Sequence, residues 1–228
     1  MNDAFERLLL RAELLMARIE HMLPQPLHAP DWSSGVAFRY RKRSSGHGVL
    51  EPVRHVADIQ LGDLHAIEAQ KEKIQRNTLQ FVEGKPANNV LLTGARGTGK
   101  SSLVKACLNA YASRGLRLIE VDKQDMVDLP DIVQVVADRP EKFIVYCDDL
   151  SFEEGEPGYK ALKSILDGTV AATTPNVLIY ATSNRRHLLP EYMKENLSYT
   201  HTDDGEVHPG EVVEEKISLS ERFGLWVS

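Results

Sequence analysis

The sequence predicts an α/β fold built around a mostly parallel sheet, and three observations support this prediction. From about residue 61, helix-forming stretches alternate with short apolar runs, which is the order of strands connected through helices. A glycine-rich segment, GARGTGKS, separates one apolar run from the helix-forming stretch that follows it. The 228 residues, of which 42% are hydrophobic and 26% charged, are typical of a soluble globular protein and provide one sizeable domain with an appendage.

The first predicted element is an amphipathic helix over residues 4–23. Its apolar side chains recur at helical spacing, namely Leu8, Leu15, Ile19, Met22 and Leu23. Such a helix covers an apolar surface, which is either the core of the protein or a partner, including another copy of the chain. The segment PQPLHAPDWSSG follows and is interpreted as a linker because of its prolines, so residues 1–34 form an N-terminal helical extension.

Residues 35–60 are interpreted as a basic and aromatic connecting segment. In AFRYRKR, the aromatic side chains Phe38 and Tyr40 interleave with the cations Arg39, Arg41, Lys42 and Arg43. Aromatic rings stack on bases and cations bind phosphates, so residues 38–43 are a candidate for nucleic-acid binding. A solvated linker or a contact between subunits is the favoured interpretation of the same segment.

The predicted core begins at residue 61 with a helical stretch, LGDLHAIEAQKEKIQRNTLQFVEG. The apolar run NNVLLTG is predicted to be a buried strand, and SSLVKACLNAYASRG a helix that ends at its glycine. The remaining stretches predict strand, helix, strand, helix and strand in turn: LRLIEVD, LPDIVQVVAD, KFIVYCDDL, PGYKALKSILDG and NVLIYATSN. In such a sheet, ligands bind at the carboxyl ends of the strands.

The segment GARGTGKS matches the phosphate-loop pattern G-x-x-x-x-G-K-[ST] between a predicted strand and a predicted helix. Its glycines allow backbone N–H groups to face a polyphosphate, Lys100 supplies a cation for the β- and γ-phosphates, and Ser101 supplies a hydroxyl for Mg²⁺. The sequence therefore predicts ATP and Mg²⁺ as ligands. The candidate nucleotide-binding residues are Gly94, Ala95, Arg96, Gly97, Thr98, Gly99, Lys100, Ser101 and Ser102.

Polar residues follow two further predicted strands. Asp148 and Asp149 end KFIVYCDDL, where Asp148 is expected to hold Mg²⁺ and Asp149 to orient or deprotonate the attacking water. Asn184 ends NVLIYATSN and could bond the γ-phosphate or that water, although asparagine is also a common turn residue. Glu153 and Glu154 lie just beyond the acidic pair and are only reserve bases.

The order of GARGTGKS, CDDL, ATSN and SERF resembles the AAA+ ATPases, in which Walker A, Walker B, sensor 1 and the arginine finger follow one another. Longer stretches, including PANNVLLTGARGTGKSSLVKA, CDDLSFEEGEPGYKALKSILDG and YATSNRRHLLPEYM, resemble a bacterial AAA+ family, domain of unknown function 815, over most of residues 35–228. The DD pair is similar to that of bacterial replication-initiator and transposition-helper ATPases, so Asp149 is compatible with hydrolysis.

The resemblance implies a three-layer P-loop NTPase fold, an AAA+ core over residues 61–228 with a mostly parallel five-stranded sheet whose edge strand is GLWVS. It implies that Leu64 and Ile67 lie near the adenine. Arg222 is implied to be an arginine finger that reaches the γ-phosphate held by the next subunit, in a homo-oligomeric ring such as a hexamer. AAA+ proteins continue into a small helical lid, which we expect this chain to lack.

The composition excludes some classes of function. A net charge of −6 argues against a protein that binds nucleic acid or membranes through a generally basic surface. No stretch reaches the ~20 consecutive apolar residues that a membrane span needs. Cys107 and Cys147 lie in apolar surroundings, which favours reduced, buried thiols and a cytoplasmic protein. In LSYTHTDDGEVHPGEVVEE, four side chains could be metal ligands, but their spacing favours a solvated insertion: His201, Asp203, Asp204 and His208.

These observations predict an AAA+ ATPase that hydrolyses ATP at a subunit interface to remodel or load an unidentified macromolecular partner. The alternative is a nucleotide-dependent switch or scaffold with negligible turnover, because Asp149 is shorter than glutamate and could hold ATP without activating water. A third hypothesis, a P-loop phosphotransferase, requires an acceptor site that nothing in the sequence resembles.

Overall fold

The structure is a computed structural model that describes residues 2–22, 26–43, 46, 48–152, 156–168, 174–184, 200–201, 207–208, 219 and 221–228. The helices within these residues are α1 (Asn2–Met22), α2 (Glu68–Val82), α3 (Lys100–Tyr111), α4 (Leu129–Val136) and α5 (Pro157–Asp167). The strands are β1 (Ala37–Lys42), β2 (Gly48–Pro52), β3 (Val90–Thr93), β4 (Leu116–Glu120), β5 (Lys142–Cys147), β6 (Val177–Ser183), β7 (Thr200–His201), β8 (Val207–His208) and β9 (Leu225–Val227).

Seven of these strands form one sheet in the order β2-β1-β4-β5-β6-β3-β9. Every neighbouring pair in it is parallel except β1 and β2, which are antiparallel. Strands β7 and β8 pair separately. The prediction of an α/β fold with a mostly parallel sheet is confirmed, and β9 is the expected edge strand beside β3. The expected number of five strands is wrong, because β1 and β2 extend the opposite edge.

The two additional strands come from the basic and aromatic segment. Phe38 and Tyr40 are 0% and 3% exposed, whereas Arg41 is exposed on the other face of β1. The interleaving of aromatic and cationic residues is therefore the two-residue period of a strand with one buried face. The hypothesis that these rings stack on nucleic-acid bases is wrong, because the sheet buries both of them: Phe38 packs edge-on against Trp32 at 4.7 Å between ring centroids.

Acidic neighbours pair with most of the cations in the same segment. Three of the four cations form ion pairs, namely Arg39–Glu120 at 2.7 Å, Lys42–Asp128 at 2.9 Å and Arg43–Glu51 at 3.6 Å. Charges paired in this way attract a phosphate backbone less strongly than free ones. The structure therefore gives residues 38–43 a role within the sheet.

Helices cover both faces of the sheet, as the three-layer prediction requires. On the central strand β5, Phe143, Val145 and Cys147 pack in the core shared with α4 and α5. The alternate residues Ile144 and Tyr146 pack in the core shared with α2 and α3. The alternation follows from the period of the strand, and burial on both faces explains its nearly continuous apolar sequence.

Helix α1 forms as predicted, but it does not bury an apolar face on the core. Seven of its large apolar side chains are between 49% and 65% exposed: Phe5, Leu8, Leu9, Leu10, Leu14, Leu15 and Met16. Within the described part of the chain, the core therefore does not cover these side chains, which favours the second of the two surfaces considered, a partner. Among the described residues, no helix has the length and apolarity that a membrane crossing requires.

The two cysteines are both buried and unpaired. Burial raises the pKa of the Cys107 thiol to about 12, and burial likewise raises the pKa of the Cys147 thiol to about 12. A thiol in this state is a poor nucleophile and a poor metal ligand. The expectation of buried thiols outside a disulfide is confirmed.

Candidate active site

The phosphate-loop segment joins β3 to α3 through three glycines with positive φ. The φ angles of Gly94, Gly97 and Gly99 are 140°, 80° and 87°. Residues with a Cβ rarely adopt such φ angles, so this backbone path depends on glycine. The Thr98 hydroxyl donates to the Ala95 carbonyl at 2.9 Å and closes the turn. The loop therefore has a fixed curvature directly before the N-terminus of α3.

Lys100 begins α3 and folds back over the loop. Its Nζ donates to the carbonyl oxygens of Gly94 at 2.7 Å and Ala95 at 2.8 Å. It also donates to Asn184 Oδ1 at 3.0 Å. The cation is thus held within the curve of the loop, and it directly contacts the polar residue that follows β6.

Asp148 lies at the carboxyl end of β5, next to the start of α3. Its Oδ1 accepts hydrogen bonds from Ser101 Oγ at 2.8 Å and from Thr182 Oγ1. Burial raises the pKa of Asp148, but the hydroxyl groups of Thr182, Tyr146 and Ser101 lower it by more, and the pKa lies below its ordinary value. The side chain is therefore ionised at neutral pH, as a residue that binds a divalent cation must be.

Asp149 has a left-handed backbone, with φ of 52°. Non-glycine residues seldom adopt this conformation, and where they do the surrounding contacts hold them in it. The Asp149 N–H donates to Thr182 Oγ1 at 2.9 Å, and its Oδ1 accepts from Asn184 Nδ2 at 2.6 Å. Arg96 approaches the other oxygen, Oδ2, at 3.5 Å. Both carboxylate oxygens of Asp149 consequently have a partner.

A cleft adjoins the phosphate loop, and one of the two residues that the resemblance places near the adenine lines it. It is lined by Ile67, Gln70, Leu92, Thr93, Thr98, Gly99, Lys100, Leu103, Val227 and Ser228. A Cβ added to Gly99 would lie 3.6 Å from Ile67 Cδ1, so Ile67 directly adjoins the phosphate loop. Leu64 is half-buried and does not line this cleft, and its carbonyl accepts a hydrogen bond from Lys71 Nζ at 3.0 Å. The structure thus brings Ile67, and not Leu64, to the wall of the cleft.

Arg222 lies three residues before the edge strand β9, which pairs with β3. Its Nε donates to Asp167 Oδ1 at the end of α5, and its side chain is 25% exposed. The arginine is therefore anchored within its own subunit at the rim of the sheet.

Two residues near this cluster were not predicted from the sequence. Thr182 is 1% exposed and joins Asp148 to the backbone of Asp149. Tyr146 is 1% exposed, and burial raises the pKa of its hydroxyl, which lies near Asp148 and Ser101. A polar side chain inside an apolar strand was the available signal in both cases. The order of the strands is needed to see which acid each one faces.

Other sequence candidates fall outside the described residues. These are Glu153, Glu154, Asp203 and Asp204, together with the side chains of His201 and His208. Within the part of the chain that the structure describes, no group of three or more His, Cys, Asp or Glu side chains could hold a metal ion. A cation at Asp148 would therefore need ligands from hydroxyl groups and from a phosphate-bearing ligand.

Comparison with solved structures finds similar folds at low sequence identity. The RuvB Holliday junction branch migration motor from Thermotoga maritima is 15% identical over 74% of this chain, with a TM-score of 0.46, and the match spans 46% of RuvB. DnaI is 18% identical over 77% of this chain and 91% of its own length, with a TM-score of 0.47. AMPPCP-bound DnaA from Aquifex aeolicus is 18% identical over 57% of this chain and 43% of its own, with a TM-score of 0.43. Likeness at this level does not transfer an activity.

No match was found among curated proteins. A family model described as "Protein of unknown function (DUF815)" matches residues 33–228. The match includes the phosphate loop, the acidic pair, Asn184 and Arg222, and it extends from the linker before β1 through β9. Because it covers most of the sequence, the chain belongs to the DUF815 family.

Proposed function

We propose that this protein is an AAA+ ATPase that binds ATP with Mg²⁺ at the phosphate loop and hydrolyses it at a subunit interface. The observation that carries the proposal is the hydrogen-bonded series Lys100–Asn184–Asp149, which links the loop after β3 with the ends of β5 and β6. A loop cation, a carboxylate and an amide at one sheet edge are the groups that phosphoryl transfer to water requires.

The residues of the loop bind and orient the substrate. Lys100 exchanges its contacts with the Gly94 and Ala95 carbonyls for the phosphates of ATP, which carry more negative charge. Ile67 lines the cleft that receives the base. The N-terminus of α3 adds the partial positive charge of a helix end.

Asp149 and Asn184 act on the attacking water. Asp149 accepts its proton, and the left-handed backbone turns this carboxylate towards Asn184. Asn184 holds the water or the γ-phosphate through its amide. Ser101 Oγ lies 2.8 Å from Asp148 Oδ1, and these two side chains match the hydroxyl and carboxylate ligands that Mg²⁺ accepts. When bound, Mg²⁺ would neutralise charge on the phosphates.

Arg222 is the residue that makes the proposed site dependent on assembly. We assign it to the γ-phosphate of the adjacent subunit, where its planar fork would stabilise the developing charge. In its own subunit it pairs with Asp167 at the end of α5, so the pair would have to open or reorient on assembly. A ring of subunits that remodels or loads a macromolecular partner in the cytoplasm is the setting in which such an arrangement works.

One observation favours a second candidate, a nucleotide-dependent switch or scaffold with negligible turnover. Both oxygens of Asp149 have partners, Asn184 at 2.6 Å and Arg96 at 3.5 Å. A carboxylate engaged in this way is a weaker base for water. The two candidates share the binding site and differ only in the rate of hydrolysis.

Calorimetry and mixed subunits test the proposal. Lys100→Ala removes the loop cation and should abolish measurable ATP binding, whereas Arg222→Ala should bind ATP normally and hydrolyse it poorly. Mixing the two variants should restore turnover, because Lys100→Ala subunits carry an intact Arg222. Unchanged ATP affinity in Lys100→Ala would refute the binding site. Binding without turnover in the wild type, in every assembly state, would favour the switch.

A further inference from the structure

Helix α1 exposes more apolar surface than a solvated helix requires. Its seven exposed large side chains lie within the twelve residues from Phe5 to Met16. Contiguous exposed apolar surface of this kind marks a site of interaction. The part of the core that the structure describes leaves these side chains exposed, so they offer a surface to another chain.

The spacing of these residues is that of a coiled-coil seam. Apolar residues alternate at intervals of three and four along the whole helix, in the series Phe5, Leu8, Ala12, Leu15, Ile19 and Met22. This series occupies the a and d positions of three consecutive heptads. Leu9 and Met16 follow the d residues at e positions and widen the stripe. A helix with this pattern packs against another helix of the same pattern.

The charges on α1 distinguish between occupants. Four acidic residues and three arginines give the helix a net charge of −1, so an anionic membrane surface would not attract it. The exposed glutamates Glu6 and Glu13 both take b positions, away from the seam. A second copy of the same helix satisfies the stripe without bringing acids together.

We propose that α1 pairs in parallel with α1 of a second copy of this chain. In a parallel pair, each g position faces an e position, so the aliphatic stem of Arg11 lies over the partner's Met16. An antiparallel pair would bring g positions against g positions, and because Arg11 and Arg18 hold these positions, cations of the two copies would repel each other. This interface is separate from the nucleotide site and forms without nucleotide.

Sedimentation of the full chain without nucleotide tests the pairing. The seam variant Leu8→Glu with Leu15→Glu places two charges at d positions, and the matched variant Leu10→Glu with Leu14→Glu places them at f and c positions. The exposed fractions are similar, 65% and 52% against 61% and 59%. The wild type and the matched variant should associate at micromolar concentration, and the seam variant should dissociate at least about 100-fold more readily. Equal urea midpoints would show that the core is intact in all three.

Disulfide trapping tests the direction of the pair. In a parallel pair, Leu8→Cys places two thiols side by side, and oxidation should link the copies, whereas Leu10→Cys should not react. In an antiparallel pair centred on residue 12, position 8 of one copy and position 8 of the other would lie about 12 Å apart along the axis. This distance is too long for a disulfide. The native Cys107 and Cys147 are buried and do not interfere.

Three results would overturn the proposal. The first is a monomeric wild type at tens of micromolar, and the second is equal dissociation of the seam and matched variants. The third is binding of the monomeric wild type to phosphatidylserine vesicles that the seam variant loses, which would assign α1 to a membrane surface. Rapid oxidation of Leu8→Cys within a stable oligomer would support it.

Discussion

Replacing Thr182 by valine tests whether the hydroxyl of this buried residue supports the acidic pair. The hydroxyl donates to Asp148 Oδ1 and accepts from the Asp149 N–H at 2.9 Å. Thr182→Val keeps the shape of the side chain, leaves no cavity and removes both hydrogen bonds. Thr182→Ser is the matched control, because it keeps the hydroxyl and loses only a methyl group.

The expected loss of stability follows from these two bonds. A hydrogen bond to a charged group contributes about 1.5–3 kcal/mol, and we take the low end because solvent reaches Asp148 and screens it. The loss of the acceptor for the Asp149 N–H adds about 1 kcal/mol. Thr182→Val should therefore lower the free energy of unfolding by about 2–3 kcal/mol. Thr182→Ser should lower it by about 1 kcal/mol, the value of a buried methyl group.

Urea unfolding at several pH values measures both effects. At neutral pH, the midpoint of Thr182→Val should fall by about 1 M relative to the wild type. The pKa of Asp148 is lowered in the folded protein, so its stabilising contribution is complete above its unfolded pKa, about 4, and is lost as the pH falls further. The difference between wild type and Thr182→Val should therefore narrow below about pH 4. A Thr182→Val protein as stable as Thr182→Ser, or a difference that persists undiminished at pH 3, would refute this reasoning.

Three further substitutions test the proposed roles. Asp149→Asn should keep ATP affinity and lower steady-state turnover by about 100-fold or more, and normal turnover would contradict its role as base. Asp148→Asn should raise the Mg²⁺ concentration at half-maximal turnover by about 10-fold, and an unchanged Mg²⁺ titration would remove it from the metal site. Gly99→Ala forces a Cβ onto a backbone with φ of 87° at a cost of about 1–2 kcal/mol, so ATP affinity by calorimetry should fall about 10-fold. Unchanged affinity there would show that the loop does not need this curvature.

The sequence alone predicted which polar residues meet, because a parallel sheet brings the carboxyl ends of its strands to one edge. Lys100, Asp149 and Asn184 are separated by up to 84 positions, yet direct hydrogen bonds connect them. Lys100 was identified by the phosphate-loop pattern, and Asp149 and Asn184 were identified by their places after apolar runs. The fold class was predicted because helices and strands alternate regularly along the chain. This alternation leaves few possible arrangements of an α/β sheet.

The features that the sequence did not predict depend on contacts between residues far apart in the chain. The segment AFRYRK shows clear alternation, but its cations attracted a functional interpretation, and the burial of Phe38 follows from its pairing with Ile119, 81 positions away. Thr182 is equally hidden, because a threonine inside a strand gains significance only beside an acid from another strand. Strand order across a sheet is a tertiary property, and local periodicity does not contain it.

The contacts of Lys100 connect nucleotide binding to the proposed base. Lys100 Nζ donates hydrogen bonds to two loop carbonyls and to Asn184 Oδ1. Asn184 Nδ2 in turn donates to Asp149 Oδ1. A cation drawn to phosphates would release Asn184 Oδ1, and the amide would keep its orientation through Asp149. The freed oxygen could then accept a hydrogen bond from water within reach of the carboxylate. In the proposed mechanism, nucleotide binding at the loop would by this route free Asn184 Oδ1 to hold the attacking water beside Asp149.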